Sequence, residues 1–189
     1  MDVQRTPSCD ISDTQRLRRV LGAFATGVTV VTVGGASPHG MTANSFTSVS
    51  LEPPLVLVCV ERNAIMHSSL EESGAFAISV LAGHQEGVAR HFADRRRPLG
   101  KEQFDAVEWL PGPLTGAPLI SGAIAHFECE VWQTYDGGDH TIFLGNLLSL
   151  ARDEGDDVLL FAHGNFAKLG KSRKNSNRGN NAHRSDVTA

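Results

Sequence analysis

The chain has 189 residues, 41% hydrophobic and 20% charged, which suits one domain with a core of its own. Its net charge of −4 is uneven, because residues 171–189 hold five of the 17 basic side chains and one of the 21 acidic ones. The remaining acidic body argues against nucleic acid as the main partner. No run of about 18 apolar residues and no basic-then-apolar leader occurs, so a cytoplasmic protein with no membrane association is expected. Cys9, Cys59 and Cys129 are odd in number and lack Cys-x-x-Cys spacing, which reads as reduced thiols and no metal site.

In chain order, residues 1–11 read as an arm. Ser12 and Gln15 form a capping-box signal, and Leu17, Val20, Leu21 and Phe24 recur at helical spacing, so an amphipathic helix ending by Gly27 is expected. Val28 to Val33 is a β-branched run. The turn Gly34 to Gly40 leads it into a second strand, Thr42 to Val49, as a hairpin. Leu55 to Val60 is continuously apolar, as a buried strand would be. Asn63 to Glu72 reads as a short helix with Ile65, Met66 and Leu70 inward, followed by a strand from Ala75 to Val80.

His84 to Phe92 suggests another short helix, and Asp94 to Gly100 a loop. A short strand is expected between Phe104 and Trp109, closed by Pro111-Gly112-Pro113. From Ala123 to Trp132 the alternation is that of a half-exposed strand, with Ala123, Ala125, Phe127, Cys129 and Val131 on one face and His126, Glu128 and Glu130 on the other. Thr141 to Leu150 pairs back across a Gly137-Gly138 turn, and Val158 to Ala162 is a last strand. Residues 12–170 form the domain, and 171–189 read as a disordered polar, basic tail. Strands joined mainly by hairpins, with few and short helices, favour a mainly β antiparallel barrel over a Rossmann sheet. Gly-x-Gly-x-x-Gly, Walker and Gly-x-Ser-x-Gly motifs are absent.

Two segments can carry chemistry. Thr42 to Ser48 is rich in small donors, with the hydroxyls and amide of Thr42, Asn44, Ser45, Thr47 and Ser48. Gly137-Gly138-Asp139-His140 sets an acid and an imidazole on a Gly-rich tip between two strands. Together with the run Ser48-Val49-Ser50-Leu51-Glu52-Pro53-Pro54-Leu55-Val56-Leu57-Val58, they make the chain, from about Leu17 to Leu169, resemble the short-chain flavin reductases, the reductase components of two-component flavin monooxygenases.

That resemblance implies a split β-barrel of the Greek-key, FMN-binding type, built as a homodimer. It implies FMN or FAD as flavin, NADH or NADPH as hydride donor, and a separate flavin-dependent monooxygenase that receives the reduced flavin. By the resemblance Ala43, Asn44 and Ser45, with Thr42, border the flavin ring. Cys59 and Val60 form the neighbouring strand end, and Ser48, Ser68 and Ser69 lie toward the ribityl chain and phosphate. Phe92 and the cations around Arg96 could meet a phosphate. His140, oriented by Asp139 on the Gly138 turn, would position the nicotinamide. A pyridoxamine-phosphate-oxidase-like enzyme with retained FMN, and a non-catalytic flavin-binding protein, are the alternatives.

Overall fold

The β-branched run beginning at Val28 is buried along its whole length, which a strand can achieve only with apolar layers on both faces. The computed structural model describes residues 11–153 and 157–169. The expected arm, apart from Ile11, and the expected tail lie outside the described residues. The elements begin α1 (Thr14–Leu21), β1 (Thr26–Gly27), β2 (Thr29–Val33), β3 (His39–Ala43), β4 (Thr47–Leu51), β5 (Pro54–Glu61), α2 (Ile65–Ser73) and β6 (Ala75–Val80). They continue with α3 (Glu86–Ala93), a 3-10 turn (Gly100–Phe104), β7 (Trp109–Pro111), β8 (Pro118–Ile120), β9 (Ala125–Gly137), β10 (His140–Arg152), β11 (Leu159–Ala162) and β12 (Asn165–Lys168).

Seven strands pair antiparallel in the order β3-β2-β6-β9-β10-β5-β4. Laid flat, such a sheet would separate its edge strands by about 29 Å. Yet β3 and β4 are the two edges and are joined by only Asn44, Ser45 and Phe46, a link that reaches at most about 14 Å. The sheet therefore curls until its edges face each other. No ladder joins them, so the barrel stays split along that seam.

One apolar cluster takes side chains from β2, β3, β5, β6, β9, β10 and α2, including Val31, Val58, Met66, Phe76 and Phe143, and fills the barrel. Gly145 on β10 is required there, because a Cβ would stand 2.5 Å from the Phe76 ring. A second cluster, with Val30, Leu81, Phe92, Phe104, Ile120 and Leu159, covers the other face of β2 under α3 and the small sheets β1-β11-β12 and β7-β8.

Several expectations are corrected. Helix α1 is capped by Asp13, whose carboxylate accepts from Arg16 N–H at 3.0 Å, and it ends at Gly22, well before Gly27. Its apolar stripe packs on no core: Val20 and Leu21 are exposed, and Phe24, beyond the helix, is 78% exposed. Ile65 is half exposed, whereas Met66 and Leu70 are buried. Between Phe104 and Trp109 there is no strand. The chain instead makes its 3-10 turn earlier and pairs Trp109–Pro111 with Pro118–Ile120.

Glu128 is the sharpest correction. Although it alternates with outward residues, it is 1% exposed, because the loop from Leu114 to Ala117 folds over it. Its Oε1 accepts from Leu114 N–H, Thr115 N–H and the Thr115 hydroxyl at 3.0, 2.8 and 2.8 Å, and Oε2 from the Ser149 hydroxyl at 2.8 Å. Burial pushes the carboxyl up, but these donors, Thr115 N–H first, outweigh it and hold the group below the ordinary carboxylate range. A depressed carboxyl stabilises the fold above its unfolded pKa, and the contribution fades as pH falls through the folded value. Glu128→Ala is expected to cost about 2–4 kcal/mol at neutral pH by leaving buried donors unpaired. Thermal melts should show that deficit shrinking below the usual carboxylate range; a constant deficit down to acid pH would contradict the charged assignment.

Candidate functional site

The seam opens into a cleft of about 510 Å³, within the size range of small-molecule sites. Five stretches of chain converge on it: His39 to Ser45 along β3 and the link, Cys59 and Glu61 on β5, Asn63 to Met66 at the start of α2, Phe92 to Leu99 after α3, and His140. The seam is held open by Ser45. Cys59 N–H donates to its Oγ at 3.0 Å, and the hydroxyl donates back to Cys59 O at 3.0 Å, so one side chain occupies the two backbone groups that a continuing strand would have paired. The Thr42 hydroxyl is likewise committed, donating to Ala89 O at 2.7 Å and tying β3 to α3. These two hydroxyls build the wall.

The arginine run is sorted by its partners. Arg95 pairs with Glu61 at 2.6 Å, and Arg96, 90% exposed, pairs with Asp94 at 3.1 Å outside the lining. Arg97 lies in the lining and forms no ion pair with a carboxylate among the described residues. Its guanidinium donates to Gly40 O, to Asp94 O at 2.8 Å and to Gln103 Oε1 at 3.4 Å, and stands 5.8 Å from the Phe92 ring centroid. Beside it His39, 6% exposed, is brought down to about 4 by burial and by the Arg97 charge, and is neutral at pH 7. Buried Gln103 braces the pair, its amide donating to Pro38 O at 2.9 Å and Gly100 O at 2.8 Å while its carbonyl accepts from Gly40 N–H at 2.9 Å. The cleft wall thus carries a fixed, half-buried positive charge that no carboxylate contacts among the described residues, Asp94 acting on it only from a distance, a setting that favours an anionic ligand group.

His140 reaches the cleft from the β9–β10 turn. Gly137 pairs with His140, which leaves Gly138 and Asp139 as a two-residue tip, and Gly138 has φ +80°, the glycine-first geometry of a type II′ hairpin. His140 Nδ1 is 2.7 Å from Asp139 Oδ1. An ionised carboxylate only accepts, so Nδ1 carries the proton and Nε2 is the acceptor of the neutral ring. The Asp139 carboxyl is held below its usual range, first of all by that bond.

Of the residues singled out in the sequence, Thr42, Ala43, Asn44, Ser45, Cys59, Phe92 and His140 line the cleft. Val60, next to Cys59, points into the barrel core. Ser48 is exposed on β4, while Ser68 and Ser69 turn their hydroxyls onto Ile65 O at 3.0 and 2.9 Å. Asp139 and Gly138 stand beside His140 outside the lining. His39, Met41, Glu61, Asn63 and Leu99 are lining residues that the sequence reading left unassigned, and of the three arginines expected near a phosphate, Arg95 and Arg97 line the cleft while Arg96 does not. His39 was hidden in a Gly/Ser/Pro-rich turn, and three contiguous arginines carry no signal of which turn inward. Phe166 belongs to the second core cluster, edge-on to Phe161 at 5.3 Å.

A family model described as a flavin reductase like domain matches residues 21–170. The chain belongs to this family. An NADH-dependent FAD reductase of Streptomyces globisporus is 57% identical over 85% of this chain and 88% of its own length. A solved structure of a Streptomyces globisporus NADH:FAD oxidoreductase, in complex with NAD and FAD fragments, superposes with a TM-score of 0.84 at 52% identity, covering 89% of this chain and 99% of that one. The reductase subunit of a flavin-dependent monooxygenase from Rhodococcus jostii is 37% identical over 83% of this chain and 78% of its own. This flavin reductase-like domain is a split barrel, mainly β with three short helices, and none of its described helices is long and apolar enough to cross a membrane.

Proposed function

We propose that the chain is an NADH-dependent flavin reductase that reduces FAD and passes it to a separate flavin-dependent monooxygenase. The observation that carries this reading is the seam cleft, where a small-residue link, an uncompensated guanidinium and a hairpin-tip imidazole meet. The residues fit the group. The Ala43 to Ser45 segment has little side-chain bulk to keep a flat ring away, and the amides of Asn44 and Asn63 make no hydrogen bond among the described residues, which suits a polar ring edge. Arg97 suits a phosphate. A bound flavin supplies the chemistry, accepting a hydride from the nicotinamide and later delivering two electrons to the oxygenase.

The chain's own residues then act by position. Imidazole Nε2 of His140, its tautomer set by Asp139, can accept from the carboxamide N–H of a nicotinamide, holding the donor carbon over the ring. Cys59 is no nucleophile, since burial pushes its thiol up and keeps it protonated at neutral pH. The reading of an amine-phosphate oxidase loses support because two of the three clustered arginines are already paired, leaving only Arg97 for a substrate phosphate. The free thiols Cys59 and Cys129 suit the reducing cytoplasm, where NADH is at hand.

Under nitrogen, excess FAD and NADH with catalytic protein should give NADH oxidation with multiple turnovers. His140→Ala should keep FAD affinity and slow hydride transfer, or raise the NADH KM, roughly five-fold to a hundred-fold. No turnover with any flavin and nicotinamide pair would end the reductase reading. The exposed apolar stripe of Leu17, Val20 and Leu21, with Phe24 and Ile11, favours a homodimer that covers α1. Sedimentation at micromolar concentration should return twice the chain mass, and Val20→Glu with Leu21→Glu should shift it to monomer; a wild-type monomer would refute the assembly.

A further inference from the structure

The hairpin tip that presents His140 has no core of its own. Gly137 and Gly138 lack side chains and the Asp139 side chain is 89% exposed, so its shape has to be imposed from outside. The register of β5 against β10 sets Glu61 opposite His140, which brings Arg62, the next residue, alongside the tip. Arg62 N–H donates to Asp139 O at 3.0 Å, and its Nε donates to Gly138 O at 3.0 Å. Its Nη2 lies 3.1 Å from Asp136 Oδ1, the same oxygen that accepts Gly138 N–H at 2.8 Å. The Gly138 carbonyl and N–H are thereby closed into a ring through one guanidinium and one carboxylate, while the Asp139 carbonyl is held by the Arg62 backbone N–H.

We infer that Arg62 is a positioning residue for His140, clamping the Gly138-Asp139 turn so that the imidazole stands at a fixed place in the cleft. Arg62 is not part of the cleft lining, so it acts through the turn and not on a ligand. The planar fork matters: it holds a carbonyl and a carboxylate at once in a fixed geometry, which a flexible ammonium reproduces only in part. Asp136 takes its share, its carboxyl held below the usual range by Gly138 N–H first and by Arg62 next. An exposed ion pair of this kind adds little to global stability, with side chains 45% and 81% exposed. Its effect is local, and a small misplacement of a positioning group is costly in rate. The inference rests on the reading that His140 meets the nicotinamide.

The test uses the full chain. In the flavin-free protein, hydrogen exchange at the Gly138 amide should speed up at least about ten-fold in Arg62→Ala and stay near wild type in His140→Ala, with melting temperatures unchanged. In the FAD-loaded protein, single-turnover reduction by NADH should slow about five- to twenty-fold in Arg62→Ala without a change in FAD affinity, and Arg62→Lys should recover part of the loss. The double variant Arg62→Ala with His140→Ala should be no slower than His140→Ala alone. Unchanged exchange at Gly138 in Arg62→Ala overturns the clamp whatever the kinetics. Losses that multiply in the double variant also overturn it, because Arg62 would then act independently of His140. A wild-type chain that never reduces flavin refutes the reductase reading instead, and the exchange result still decides whether Arg62 holds the turn.

Discussion

Three residues between β3 and β4 govern this molecule. Because Asn44, Ser45 and Phe46 must connect the two edge strands of a seven-stranded sheet, the sheet cannot lie open, and it closes around a single apolar interior. Because the Ser45 hydroxyl occupies both backbone groups of Cys59, β4 does not continue along β5 beyond Thr47, and that stretch of β5 is left bordering the gap. The result is a barrel with a gap, and the gap is where the main cleft lies. Fold and site follow from one local constraint, a link too short to let the edges part, with a side chain that ends the β4–β5 ladder where the cleft begins.

Charge is used in two ways in this structure. Glu128, fully buried, is answered by four donors and serves to fasten the Leu114 to Ala117 loop onto the sheet. Arg97, half-buried, is answered by backbone carbonyls and a neutral amide, so its bonds fix its place without cancelling its charge. Its neighbours Arg95 and Arg96 are neutralised by Glu61 and Asp94, and His39 beside it is kept neutral first by burial and then by the same guanidinium. One net cation is left facing the cleft where four basic groups cluster. A charge satisfied internally is a fastener, and a charge held but unanswered is available to a ligand.

Much of the fold was legible because periodicity reports burial. Ala75 to Val80, expected as a strand, is one with those same bounds, and a turn at Gly138-Asp139, one residue on from the expected Gly137-Gly138, joins the two longest strands. The failures have a common cause, which is that pattern records one residue's polarity and not what folds over it. Glu128 alternated with outward positions, yet the Leu114 to Ala117 loop, earlier in sequence, folds back to supply three of its four donors. The stripe of Leu17, Val20 and Leu21 had true helical spacing, but the described chain offers nothing to cover it. In the cleft, contiguity hid the answer: Arg95, Arg96 and Arg97 are indistinguishable as letters, and only the turn after α3 decides that Arg95 and Arg97 line the cleft and that Arg95 is paired there with Glu61. The link from Thr42 to Ser45 was visible as a donor-rich segment, although two of its hydroxyls prove to be structural.

The central claim is that the cleft at the split seam, walled by β3, the link and β5, is where flavin lies. A crystal structure of the protein with FAD and oxidised NAD tests it most directly. The account requires the flavin ring against Ala43 to Ser45, a phosphate oxygen within hydrogen-bond reach of Arg97, and the nicotinamide on the side of His140. A flavin ring seated away from the seam, or a phosphate held by Arg96 with Arg97 uninvolved, would contradict it.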